Sequence, residues 1–142
     1  MKPTLALRIA SVLTLVHAAL HTVGGVFSKP DPGPAQAAVS AMQSNHFLVM
    51  GLTRTYSDFY LGLGLAVSIF LTAEAIVFWL LGNLARSNPQ RLRPILAVFL
   101  LAYLALAVNS WFNFFLAPVI TEIVISIFLA IAIFTAKAPV SP

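Results

Sequence analysis

His17 and His21 stand four residues apart inside an apolar stretch that also carries Ser11 and Thr14. On a helix the two imidazoles lie one above the other, a spacing that can hold one metal ion, move protons near neutral pH, or hydrogen-bond across helices. A metal would need further ligands, for which Glu122, His46 and Asp58 are the available N and O donors. Without an adjoining acid motif the pair assigns no metal and no cofactor. Glu74 is the second centre of interest, because an ionised carboxylate in an apolar stretch is costly unless paired, hydrated or protonated. Excluding water brings a carboxyl and an imidazole nearer to neutrality, so His17 and Glu74 are the candidate catalytic residues. The candidate ligand contacts are His21, His46, Arg54, Tyr56, Asp58, Tyr60, Asn109, Trp111, Asn113 and Glu122.

Several of these also have a plain structural reading. Glu122 falls in the first turn of an expected helix, where an acid suits the positive end of the dipole. Arg54 and Asp58, four apart, would form an interfacial ion pair, with anion or headgroup binding by Arg54 as the alternative. Tyr56, Tyr60, Trp79 and Trp111 suit an aromatic belt at a membrane interface. Gly62 and Gly64 lie within an apolar segment, where close packing accounts for them.

The elements that position these groups follow from composition. The chain has 142 residues, of which 60% are apolar and 8% charged, and a mean hydropathy of +0.95, whereas soluble domains are about 25% charged. So few charges cannot clothe a water-facing surface. Four stretches are long enough to cross a hydrocarbon core, at about 5–27, 59–81, 94–116 and 118–136, given about 20 residues per crossing. The fold class is therefore all-α, one integral membrane four-helix bundle over residues 1–142. The Ala117–Pro118 step is the expected break between the last two helices. The absence of cysteine excludes disulfides and thiolate chemistry. A net charge of +4 does not point to nucleic acid, because the cations are spread around the apolar segments.

Lys2, Arg8, Arg86, Arg91, Arg93 and Lys137 fall on one side of such a bundle, and Lys29 and Arg54 on the other. In a bacterial inner membrane, the positive-inside rule then puts both termini in the cytoplasm. The first segment is too long for the apolar region of a signal peptide, holds both histidines and precedes no small-x-small site, so it is expected to be retained. Prolines at 30, 32 and 34 forbid helix at the start of the long connection between the first two spans. From about 35 to 50, Gln36, Ser40, Gln43 and Ser44 recur opposite Ala38, Val39, Met42 and Met50, predicting an amphipathic interfacial helix.

Polar and small residues form one stripe per span: Ser11, Thr14, His17, Ala18, His21 and Gly25; Tyr60, Gly64, Val67, Leu71 and Glu74; Asn109 and Asn113; Glu122, Ser126 and Ala130. Helical rise puts His17 roughly 18 Å from the cytoplasmic end, Asn109 and Glu122 somewhat over 20 Å, His21 about 24 Å and Glu74 about 12 Å. The stripes predict a polar pocket opening outward and floored by Glu74, although simple helix packing also accounts for small residues in such rows.

The motifs His21-Thr22-Val23-Gly24-Gly25 and Arg54-Thr55-Tyr56-Ser57-Asp58-Phe59-Tyr60-Leu61-Gly62-Leu63-Gly64, with Asn45-His46-Phe47 and Met50-Gly51 before the second, resemble a family of small bacterial four-span integral membrane proteins. The likeness spans nearly the whole chain and implies a fold and an envelope location, without a chemistry. In size and span number the chain is similar to DoxX-like proteins. His17, Glu74, Asn109 and Trp111 resemble the residue set that the sterol isomerase and sigma-2 receptor superfamily places around a lipid pocket.

Three functions fit these expectations. The first is binding of a small apolar or lipid-like molecule in the outward pocket. The second is a membrane enzyme doing acid/base chemistry on a lipid-soluble substrate, and the third an accessory subunit of a larger membrane complex. The expected partners are membrane lipids and a lipid-like small molecule, with no nucleic acid; assembly would be as a homo-oligomer or within a larger complex. One small bundle leaves little room for alternating access, which argues against a transporter.

Overall fold

The computed structural model describes residues 1–136, so Lys137, one of the six cations that set the expected orientation, lies outside them. The chain runs through α1 (Pro3–Leu20), a π-helical turn (His21–Val26), α2 (Pro34–Ser44), the strands β1 (His46–Val49) and β2 (Leu52–Thr55), α3 (Tyr56–Leu84), a 3-10 turn (Pro89–Leu92), α4 (Arg93–Asn113) and α5 (Leu116–Thr135). Four stretches, Pro3–Val26, Tyr56–Leu84, Pro89–Asn113 and Leu116–Thr135, are long and apolar enough to cross a membrane. The all-α class stands, with one small hairpin added.

Local chemistry explains where the boundaries depart from expectation. The first span is not one regular helix to Phe27: the Phe27 N–H donates to the Thr22 carbonyl five residues back, at 3.0 Å. The Thr22 hydroxyl is 2.7 Å from the Ala18 carbonyl, so a side chain occupies a ladder acceptor where the wider turn begins. The expected helix over 35–50 ends at Ser44. Asn45 turns extended and its side-chain amide donates to the Ala41 carbonyl at 2.7 Å. Residues 46–49 then pair antiparallel with 52–55, with His46 opposite Thr55 and Val49 opposite Leu52. At the turn, Met50 and Gly51 both have positive φ, 48° and 83°, the backbone that suits a two-residue hairpin and favours glycine.

Thr55-Tyr56-Ser57-Asp58 is a capping box that starts α3 three residues before the expected Phe59. The Asp58 N–H donates to Thr55 Oγ1 at 3.1 Å, and the Thr55 N–H donates to Asp58 Oδ2 at 2.8 Å. Further along, the break between α4 and α5 falls at Phe114 and Phe115 instead of Ala117 and Pro118, and Phe115 is extended. Pro118 therefore sits within the first turn of α5, where its missing N–H is harmless.

The chain divides into two compact units. Of the described residues, one unit contains Met1–His17 and those from Leu71 to Ala136, and its core draws on all four long helices. Ala6, Leu7 and Ala10 come from α1, Phe78 from α3, Leu96 and Tyr103 from α4, and Ile125, Leu129 and Ala132 from α5. Phe78 meets Phe99 edge-on at 5.0 Å between centroids. Alanines and Gly82 allow close approach: a Cβ on Gly82 would lie 3.5 Å from Leu7 Cβ and from the Thr4 carbonyl. The other unit is Ala18–Phe70, where Phe47 meets Tyr56 at a tilt, 4.8 Å between centroids, stacks on Phe59 at 5.8 Å, and joins the hairpin to α3. Large apolar side chains remain exposed along the spans, among them Leu63, Ile69, Phe70, Leu101 and Phe134.

Candidate functional site

The inward faces of the four long helices decide which polar groups meet. On α4 the buried positions are Leu96, Tyr103, Ala107 and Ser110, a repeat of seven, four and three. Asn109 and Asn113 consequently stand on the exposed face, where the Asn113 amide donates to the Asn109 carbonyl and to its Oδ1 at 3.0 and 3.1 Å. Tyr103 is fully buried. Its hydroxyl donates to Glu74 Oε2 at 2.9 Å and lies 3.3 Å from Thr14 Oγ1. A chain of three polar groups thus links α1, α4 and α3 through the first unit. Near it, the Ser11 hydroxyl donates to the Ala75 carbonyl at 2.6 Å.

Glu122 is the most enclosed carboxyl, 4% exposed. Helix α5 begins at Leu116 and has no acid in its first turn, so the expected dipole role of Glu122 is corrected: it lies in the second turn, facing inward. Ser110 Oγ donates to its Oε1 at 3.0 Å, while Oε2 is buried with no hydrogen-bond partner. Ser110 also lines a recess of about 130 Å³, together with Trp111, Phe114, Phe115, Leu116 and Val119. Ser110, whose hydroxyl holds this half-satisfied carboxyl, is thus also part of the recess wall at the α4–α5 turn.

His17 is half-buried in the first unit, with Glu74, Asn109, Trp111, Asn113 and Glu122. His21, His46, Arg54, Tyr56, Asp58 and Tyr60 belong to the second. There the His21 Nε2–H donates to the Gly64 carbonyl at 3.1 Å, and the Ser68 hydroxyl donates to the same oxygen at 3.2 Å. Thr22 Oγ1 is 2.8 Å from Ser68 Oγ, so the π-helical turn is fastened to α3 by three side chains. Close approach makes this possible, since a Cβ on Gly64 would fall 2.9 Å from Val26 Cγ2.

The ion pair expected between Arg54 and Asp58 does not form. Arg54 Nη1 donates to the Thr53 carbonyl at 2.9 Å, while the Asp58 carboxylate is occupied by the Thr55 N–H and hydroxyl. His46 is exposed, with Nδ1 2.9 Å from the Ser44 carbonyl, and Tyr56, Tyr60 and Trp111 are likewise exposed. Among the described residues no three His, Asp or Glu side chains gather as a metal site.

Tyr103 and Ser110 were absent from the sequence-derived candidates. The signal was present in the row Leu96, Tyr103, Ala107 and Ser110, which keeps heptad-like spacing through an otherwise uniform apolar run. Polarity alone marks Asn109 and Asn113 in the sequence, and polarity does not fix a face. Compared with known proteins, the chain matches no family model, no curated relative and no solved structure.

Proposed function

We propose that this chain is a multi-pass protein of the bacterial cytoplasmic membrane, both termini inside, that binds a small amphiphile by its polar head beside Ser110 and Glu122. The observation that carries the reading is the Glu122 carboxyl, 4% exposed with Oε2 unpartnered. A buried acceptor left in this state costs about 1–3 kcal/mol, and a hydroxyl or amino group from a ligand offsets that cost. The recess of about 130 Å³ exceeds the roughly 30 Å³ share of one liquid water, so it admits a compact head. Trp111, Phe114 and Phe115 offer apolar surface for the remainder of the molecule. Exposed apolar side chains along four long helices support lipid as the solvent.

Native mass spectrometry of the full chain, extracted in mild detergent, tests this. The wild type is expected to retain a hydroxyl- or amino-bearing lipid-like molecule, and Glu122→Leu to lose it by tenfold or more. No retained molecule, together with no thermal shift from any lipid class, sinks the ligand reading. Reporters fused at Met1 and Pro142 that appear on opposite sides sink the topology.

A second reading is favoured by the Thr14–Tyr103–Glu74 chain: acid/base chemistry in which Glu74 gives or takes a proton and Tyr103 holds the carboxyl in place. Glu74→Gln, which keeps shape and removes the ionisable group, should then alter the cell's lipid or isoprenoid profile. An unchanged profile removes this reading.

A further inference from the structure

We infer that the groove along the last turns of α3 binds an anionic membrane lipid, its phosphate taken by Arg8 and Asn83 and its acyl chain by Val77, Leu80, Leu81 and Leu84; this rests on the membrane reading above. Arg8 lies within the first two turns of an apolar helix, half-buried. Its Nη2 donates to Asn83 Oδ1 at 3.3 Å and its Cζ sits 4.8 Å over the Trp79 ring. The Arg8 Nε is buried with no acceptor. No described carboxylate pairs with it: Glu74 is held by Tyr103, Glu122 by Ser110 and Asp58 by Thr55, and Asp31 belongs to the other unit. A guanidinium in a lipid-facing segment without a counter-ion is costly, and its planar fork matches a phosphate.

The surroundings supply the rest of such a site. Asn83, which holds Arg8, also lines a groove of about 580 Å³ with Ser87 and the four apolar side chains named above. Gly82 lets α1 lie close, with Thr4, Leu7 and Arg8 beside it. The charge is complementary to an anion, because Arg86, Arg91 and Arg93 follow in the chain and no acid occurs between Ala75 and Thr121. Cations cluster where the expected cytoplasmic leaflet carries its anionic lipids.

The full chain in mild detergent is titrated with phosphatidylglycerol and with phosphatidylcholine of the same acyl chains, bound lipid being read by native mass spectrometry. Preference for phosphatidylglycerol of about five-fold is expected, the effect of one well-placed cation. Arg8→Gln should abolish it, while Lys29→Gln, a cation of the other unit, should keep it. Leu84→Glu, at an exposed groove position, should abolish it also and serves if Arg8→Gln fails to fold. Equal loss in Arg8→Gln and Lys29→Gln would mean diffuse charge and overturn the site, as would retention of glycerophosphoglycerol as strongly as of the lipid. A chain that needs detergent yet shows no headgroup preference overturns only this inference. A chain monodisperse without detergent overturns the membrane reading and this inference together.

Discussion

The two units handle polar side chains in different ways. Around the four-helix core, partners are far apart in sequence: Thr14 meets Tyr103, Tyr103 meets Glu74, and Ser11 meets the Ala75 carbonyl. Around the hairpin they are neighbours: Thr55 and Asp58 cap a helix, Asn45 reaches back to Ala41, and His46 lies by Ser44. In that second unit His21 and Thr22 also reach distant polar groups, the Gly64 carbonyl and the Ser68 hydroxyl of α3. A carboxyl inside a packed apolar bundle has no water to turn to and must find a partner on another helix. Exposed loop groups have water as an alternative, so their bonds shape the local backbone and add little else. Long-range pairs in the first unit should therefore be expensive to break, and local ones in the second cheap.

The largest effect should come from Tyr103, which sits at the crossing of the network and the core. Tyr103→Ala is expected to destabilise by about 3–5 kcal/mol, the range for emptying a large buried aromatic. Tyr103→Phe should lose about 1–2 kcal/mol through the hydroxyl alone. Thermal or denaturant unfolding in micelles measures both. Equal, small losses would mean that the network contributes nothing beyond shape.

An intermediate effect is expected at Gly64, where packing makes the second unit resemble the first. Gly64→Val meets Val26 and should destabilise by about 1–3 kcal/mol, with faster hydrogen exchange at His21–Val26. If exchange there stays as slow as in the wild type, the π-helical turn is not held by α3.

The smallest effect belongs to the local cap. Thr55→Ala should cost about 1 kcal/mol, or roughly five-fold faster exchange confined to the start of α3. Unfolding of the first unit should hardly move. A shift as large as that of Tyr103→Phe would erase the contrast between the units.

Some of this was fixed by local chemistry and can be read along the chain. Four long apolar runs predict four long helices, because unbroken runs of about 20 apolar residues have few alternatives. Prolines at 30, 32 and 34 predict the break before α2. The capping box at Thr55 and Asp58 and the Met50-Gly51 turn were equally local, and they outweigh the helical periodicity that had suggested one helix over 35–50. Which polar groups meet was not local. In a span apolar on every side, the period of the sequence hardly marks an inward face, so Asn109 and Ser110 are adjacent in the chain yet one is exposed and the other buried against Glu122. Only packing of α4 against α5 decides between them, since a rotation of about 100° per residue separates a carboxyl's partner from a lipid-facing side chain.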